Sequence, residues 1–349
     1  MIMLLIMVLI RRIDKYERGM SDLDIKEITE IQKNLLLCKS LSFQRKLALD
    51  FGLYKVVVAG TSNSGKSTLI NALTGRELLP ESMSTSTKIT TYIGRSCLEA
   101  DYDVIVMGCR GGKRRHLEYD AFLHEYVYGL KEIYEGKQSS ENLMSGFVNS
   151  SHELADYGVC LVDTIGIGIN DYDVKRTAGI MREADVVVFL YDGSKHGNLT
   201  SDEIDFLKAT LFKNKKRPLL PYERILFAPN KMDCVASPVQ IKQILSYDLG
   251  NFVPSGSEGW QQLVNNIFPI AARYYRLAQA GIANYSAVGD PMTRAELMNS
   301  DFEIIQHASF RSGNYKNYLK KQSGVNLLVD RIVDIVRSID VEDIVDKYI

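Results

Sequence analysis

Short, wholly apolar runs alternate along this chain with stretches whose apolar residues recur every three or four positions. The clearest short runs are Val56-Val57-Val58-Ala59, Val104-Ile105-Val106-Met107, Val159-Cys160-Leu161-Val162 and Ile225-Leu226-Phe227-Ala228. Such runs predict strands, and the first, rich in β-branched residues, reads as a strand buried in a parallel sheet. Helical periodicity is strongest near the two ends. From Asp22 to about Leu49, residues Ile25, Ile28, Ile31, Leu35 and Leu36 form one stripe. Near the other end, Val325, Leu328, Ile332, Ile335, Val336 and Ile339 form a second. Each stripe needs a surface to cover. The two either pack together or lie on the sheet, and the sheet is the expected place for the second. Strands interleaved with helices predict an α/β sandwich of three layers around a mostly parallel sheet, with added N- and C-terminal helices.

The polar residues at the ends of these runs carry the chemistry. After the first run comes Gly60-Thr61-Ser62-Asn63-Ser64-Gly65-Lys66-Ser67, which fits G-x-x-x-x-G-K-[ST]. Thr68 to Leu73 then reads as a helix. Strand, glycine loop and helix together form a phosphate cradle. The glycines let backbone N–H groups turn inward, and the helix N-terminus adds partial positive charge. Gly60, Asn63, Ser64, Gly65 and Thr68 are the candidate cradle residues. Lys66 is expected at the β- and γ-phosphates, and the Ser67 hydroxyl on Mg²⁺.

Three further stretches follow in a consistent order. The run at 159–162 ends in Asp163-Thr164-Ile165-Gly166. There Asp163 can hold Mg²⁺ through water, and the Gly166 N–H can reach a γ-phosphate. The run at 225–228 leads to Asn230-Lys231-Met232-Asp233. Asp233 can accept hydrogen bonds from guanine N1–H and the 2-amino group. Adenine offers neither donor, a mismatch of roughly 1–3 kcal/mol or more. The Lys231 stem can lie on the base, and Asn230 can tie this loop to the cradle. Ser286-Ala287 offers a backbone N–H toward guanine O6 and is the least specific match. The four motifs in order predict a P-loop GTPase domain that takes GTP with Mg²⁺.

Composition narrows the picture. The chain has 349 residues and a formal net charge of −1, so no global basic field points to nucleic acid. Lys113-Arg114-Arg115 beside Gly111-Gly112 reads as a hairpin turn, and Tyr315–Gln322 as a solvated helix face. Five cysteines (Cys38, Cys97, Cys109, Cys160 and Cys234) stand apart, with no metal or disulfide pattern, which suits a reducing cytoplasm. Residues 1–10 are wholly apolar but too few for a helical bilayer span of about 20 residues. They either touch a membrane peripherally or precede a native start at Met20, and the second reading is preferred. The expected organisation is an apolar segment at 1–19, a helix within 20–52, a GTPase domain at 53–340 with an unread insert near 235–323, and a tail at 341–349.

The details resemble the bacterial dynamin-like GTPases. Gly60, Asn63, Gly65, Lys66, Ser67, Thr68, Leu69, Ile70, Asn71, Ala72, Leu73 and Gly75 match that family's phosphate-loop block. Leu78-Leu79-Pro80, followed by Ser86-Thr87, matches the segment after it. By this resemblance Thr87 is the Mg²⁺-binding switch threonine, with Thr85 and Thr90 as competing registers. The resemblance covers roughly residues 50–340 and the helix before them. It implies GTP hydrolysis completed by head-to-head pairing of two GTPase domains in a nucleotide-dependent homodimer. Lys66, Ser62 and Thr87 are the catalytic candidates, the last two for orienting water. Two departures bear on rate. Ser62 replaces the family's frequent Phe or Gln, and Ile167 stands where Ras-like enzymes carry a water-positioning Gln. The sequence given has no long helical trunk, so membrane fission is not an expectation. His196 reads as a solvated loop residue. Two alternatives stay open. One is a slow or inactive guanine-nucleotide switch. The other is an Era-like ribosome-associated GTPase.

Overall fold

Strand β1 (Tyr54–Gly60) lies inside a sheet that has eight strands among the described residues, between β6 and β7. In the computed structural model the described residues are 24–37, 41–79, 81, 89–98, 104–108, 115–118, 122, 144–167, 171–194, 197–212, 218–234, 238–280, 315–340, 343–344 and 347. The other strands are β2 (Thr90–Gly94), β3 (Val104–Gly108), β4 (Arg115–Leu117), β5 (Met144–Asn149), β6 (Val159–Asp163), β7 (Val186–Asp192) and β8 (Ile225–Asn230). Their spatial order is β4-β3-β5-β2-β6-β1-β7-β8. The half formed by β6, β1, β7 and β8 is entirely parallel. The other half is mixed. There β2 runs parallel to β5 and antiparallel to β6, and β3 is antiparallel to both β4 and β5. The turn between β3 and β4, with Lys113 and Arg114, lies outside the described residues.

Successive residues of β1 face opposite sides, as the pleat requires. Val56 and Val58 join one core and Val57 and Ala59 the other. The first core packs beneath α1 (Ile25–Leu36), α3 (Lys66–Thr74), α8 (Ala272–Ala280) and α10 (Val325–Ser338). The second packs beneath α2 (Phe43–Phe51), α4 (Asp171–Arg182), α5 (Ser201–Thr210), α6 (Pro238–Asp248) and α7 (Glu258–Asn265). Helix α9 (Tyr315–Gln322) joins α8 through Leu319 in a smaller cluster. Helices on both faces remove both sides of the sheet from water, so its strands read as continuous apolar runs.

The N-terminal helical segment is two helices rather than one. Helix α1 is capped by Asp24 with Glu27 in a capping box, and Leu37 closes it. Helix α2 starts afresh at Ser42, whose side chain accepts from the Arg45 N–H. A new N-cap satisfies orphan donors that a continuous helix would not expose, which is why two starts mark two helices. Helix α10 buries its whole predicted stripe on the sheet face, including Val325, Leu328 and Ile332. No helix among the described residues is long and apolar enough to cross a membrane. Residues 1–10 lie outside the described residues.

Candidate nucleotide site

The parallel half of the sheet delivers its polar residues to one edge, at the carboxyl ends of β1, β6 and β8. Open α/β sheets bind ligands there. After β1 the chain turns through residues 60–65 and enters α3 at Lys66. Gly65 caps that helix at φ 92°, a left-handed conformation, and a Cβ there would collide with the Asn230 carboxamide. Asn63 also has a positive φ, 63°, which Asn tolerates better than most residues.

Lys66 lies over the loop, 6% exposed. Its Nζ donates to the carbonyls of Gly60 (3.1 Å) and Thr61 (2.8 Å). Burial pulls its pKa down to about 8, and the nearby Asp163 carboxylate opposes that fall. Asp163 ends β6 and is fully buried. Ser67 and Thr68 occupy the first turn of α3. Ser62 Oγ is buried with no hydrogen-bond partner among the described residues. It lies against Gly166, where a Cβ would stand 2.5 Å from it. The Gly166 loop is fixed on both sides. Thr164 Oγ1 donates to Val58 O (2.9 Å), and the Ile167 N–H donates to Gly60 O (3.1 Å).

Asn230, at the end of β8, joins three elements. Its Nδ2 donates to Ser64 O (2.9 Å), and its Oδ1 accepts from the Ala272 N–H (3.1 Å) at the start of α8. Lys231 has φ 65°, and its Nζ pairs with Asp192 at 2.7 Å, so its stem is held at the end of β7. That contact offsets burial and holds the Asp192 carboxyl below its usual range. Asp233 lies in the short 3₁₀ turn that follows, half-buried. The structure thus gathers the residues from 60 to 68 with Asp163, Gly166, Asn230, Lys231 and Asp233 at one edge. Thr87, its alternative Thr85, and Ser286 and Ala287 lie outside the described residues. Thr90 begins β2 and is buried.

Three supports went unread in the sequence. Thr61 Oγ1 donates to the buried Glu203 (3.0 Å), which also receives the N–H and hydroxyl of Thr200. The Thr200-x-x-Glu203 capping pattern was the available signal. Asn71 on α3 accepts from the N–H groups of Leu78 and Leu79 and donates to Leu79 O and Glu81. Arg276 on α8, 1% exposed, pairs with Glu77 (3.1 Å) and Glu81 (3.5 Å). These contacts tie the stretch leading toward Thr87 to α3 and α8. No local motif marks Arg276.

The donor set suits a magnesium nucleotide. A buried carboxylate and a helix-start hydroxyl are hard oxygen donors, and Mg²⁺ usually takes one or two such groups plus phosphates and water. The orphaned Ser62 hydroxyl and the glycine-lined turn leave polar groups for an incoming anion. Among the described residues no group of three or more His, Cys, Asp or Glu could hold a metal ion.

Residues 56–225 match the family model described as the dynamin family. A bacterial dynamin-like protein of Nostoc punctiforme is 23% identical over 176 residues, 49% of this chain and 23% of the relative. An uncharacterized protein encoded in the xynA 3′ region of a Caldicellulosiruptor species is 26% identical over 237 residues, 67% of this chain and 53% of the relative. The chain therefore spans about a quarter and about half of the lengths of these two relatives. Among solved structures, a chain of an oligomerised bacterial dynamin pair aligns with 88% of this chain and 46% of its own length, at TM-score 0.46 and 17% identity. Aquifex aeolicus Era bound to GDP·AlF₄⁻ aligns with 62% of this chain and 50% of its own, at TM-score 0.35 and 15% identity. Residues 56–225, which hold the phosphate loop and the Asp163 strand, are thus similar to the dynamin family, and a bacterial dynamin-like protein is among the relatives of this chain.

Proposed function

We propose that this chain binds GTP with Mg²⁺ at the edge formed by β1, β6 and β8 and hydrolyses it to GDP and phosphate. The observation that carries the reading is the Asn230 carboxamide, which links the phosphate loop at Ser64 to the N-terminus of α8 at Ala272. A phosphate loop alone does not choose a base. A loop tied to the strand end that carries Asp233 does, because Asp233 accepts from two donors that only guanine presents together.

The work of the side chains is positioning and charge. The Lys66 ammonium bonds to the Gly60 and Thr61 carbonyls. An incoming phosphate would take those donors, and its negative charge would restore the lysine's proton affinity. The loop N–H groups and the start of α3 would cradle the other phosphate oxygens. Ser67 and Asp163 would hold Mg²⁺, which supplies charge neutralisation at the β- and γ-phosphates. Ser62, pressed against Gly166, and Thr87 would orient the attacking water. No side chain in the described site reads as a general base, so catalysis rests on placement and electrostatics. The dynamin resemblance adds pairing of two GTPase domains as the step that completes the site. The cytoplasm is the expected compartment. Cys97 and Cys160 are buried and unbridged, and burial pushes both thiols up to about 12.

The test is steady-state GTP hydrolysis per monomer across a wide range of protein concentration, with Lys66→Ala as the blank. A specific rate that climbs with concentration supports hydrolysis completed by pairing. A flat, appreciable rate places the whole catalytic site in one copy and removes pairing from the reading. A rate at the blank with GTP still bound makes the chain a switch rather than an enzyme.

A further inference from the structure

The phosphate loop has an anchor in a helix that carries none of the nucleotide motifs. Thr61, the residue after Gly60, donates its hydroxyl to Glu203 of α5, with Oγ1 3.0 Å from Oε1. The other carboxylate oxygen accepts from the Thr200 N–H (2.9 Å) and hydroxyl (3.0 Å), within the box that caps α5. Glu203 is 3% exposed. Its donors among the described residues are neutral: one hydroxyl from the loop, and a hydroxyl and an N–H from the cap.

A capping box asks only that its glutamate reach back to the cap. Burying the carboxylate adds a desolvation cost that hydrogen bonds must offset. Its charge, one side chain away from a loop read as anion-binding, also works against an incoming phosphate. The bond to Thr61 therefore goes beyond what the cap needs, and its effect falls on the loop. The Thr61 carbonyl accepts from Lys66 Nζ (2.8 Å) and from Ser64 Oγ (2.9 Å). Thr61 also forms an isolated parallel bridge with Ile167, whose N–H donates to Gly60 O (3.1 Å). The next residue is Ser62, whose buried Oγ has no partner among the described residues and which lies against Gly166. Thr61 is thus the joint between the lysine, the Gly166 loop and Ser62.

We infer that Glu203 is a positioning residue for GTP hydrolysis. Through the Thr61 hydroxyl it fixes the loop segment that presents Ser62 to Gly166, and so sets where the attacking water is held. The inference rests on the proposed hydrolysis and on the part given there to Ser62. A hydrogen bond to a carboxylate is short and strong, so the loop loses its place when either partner is removed. A misplacement of about 1 Å in an active site costs on the order of 10²-fold in rate.

Single-turnover GTP hydrolysis, with the full chain in excess over GTP, tests it beside GTPγS affinity and the denaturation midpoint. Thr61→Val removes the hydroxyl and keeps the side-chain shape. Glu203→Gln leaves one oxygen to serve two sets of donors. Each should lower the hydrolysis rate constant at least about tenfold and change the GTPγS dissociation constant less than about threefold. The double variant should fall no further than the slower single variant, because both break one contact. Thr61→Ser keeps the hydroxyl and should stay within about twofold of the wild-type rate. Thr200→Ala weakens the same cap without touching Thr61. It should lower the denaturation midpoint and leave the rate within about twofold of wild type. A Thr61→Val rate equal to wild type would overturn the inference. So would a loss in Thr200→Ala as large as that in Thr61→Val, which would make Glu203 a helix cap alone. So would a Thr61→Val defect found wholly in the GTPγS dissociation constant, which would give the contact to binding. Wild-type hydrolysis no faster than Lys66→Ala would remove the proposed function and this inference together. A wild type that turns over while Thr61→Val keeps pace would remove the inference alone.

Discussion

Strand β1 has a buried lysine as its second residue, and the loop that leaves it ends at another. Lys55 is 4% exposed and Lys66 is 6% exposed, and burial lowers both pKa values. Their surroundings differ. Lys66 is enclosed by backbone, with two carbonyls on its ammonium and one helix beginning at its own position. Lys55 is enclosed by side chains from α2, α4 and neighbouring strands. One end of the strand holds charge with a loop of consecutive residues. The other holds it with residues gathered from across the fold.

The largest effect expected at either end is on hydrolysis. Lys66→Ala should lower kcat for GTP by about 10²–10³-fold, as loss of a preorganised charge at the transition state does. A smaller fall would mean that the lysine serves binding rather than turnover. Next is the tie that makes the loop end a single unit. Asn230→Ala removes the partner of Ser64 O and of the Ala272 N–H, and should destabilise the fold by about 1–3 kcal/mol in denaturant titrations. An unchanged midpoint would show that the loop and α8 are held by other contacts.

Proton linkage separates the two ends more finely. Lys66 has a folded pKa of about 8 against 10.5 in its ordinary state. Between those values the unfolded chain holds the proton and the folded chain does not, so stability contributed by this group rises with pH. Below about 8 the folded protein bears a charged, desolvated lysine. The nucleotide-free wild type should therefore gain stability from pH 8 toward 10.5, and Lys66→Met should lose that gain. GTP binding at pH 8 should take up about half a proton, read by calorimetry in buffers of different ionisation enthalpy.

A linkage of the same sign lies at the edge where Lys55 stands. His152 caps the 3₁₀ turn Glu153–Tyr157, its Nδ1 accepting from the Ala155 N–H (3.1 Å). Burial lowers its pKa to about 4 from 6.5. Between those values only the unfolded chain is protonated, so this contribution is lost as pH falls from 6.5 to 4. His152→Asn should flatten the loss in that window and leave the alkaline limb unchanged.

The same contrast explains what could be read without coordinates. The loop end was legible because its chemistry is written in consecutive residues: 60 to 67, then 163 to 166, then 230 to 233. Each follows an apolar run that gives its place in the sheet. The surroundings of Lys55 were illegible because Arg45, Lys55, Tyr92 and Arg176 come from four separate elements. No spacing rule connects them. The mixed half of the sheet was partly legible. The Val104–Met107 run and its glycine turn foretold a hairpin, and β3 does pair with β4. Strand β5, with Ser145 and Gly146 breaking its apolar pattern, was missed. The N-terminal helical stripe was legible in its buried faces but not in its break at Ser42, because periodicity alone does not count helices.

If Asp233 sets the base, this edge of the sheet takes guanine and rejects adenine. Nucleotide binding measured by competition, with GTP, ATP and XTP against the wild type and Asp233→Asn, tests it most directly. The wild type should bind GTP roughly tenfold or more tighter than ATP, and Asp233→Asn should shift preference to XTP, whose 2-oxo group accepts where guanine donates. Equal affinity for GTP and ATP, or GTP binding unchanged in Asp233→Asn, would contradict it.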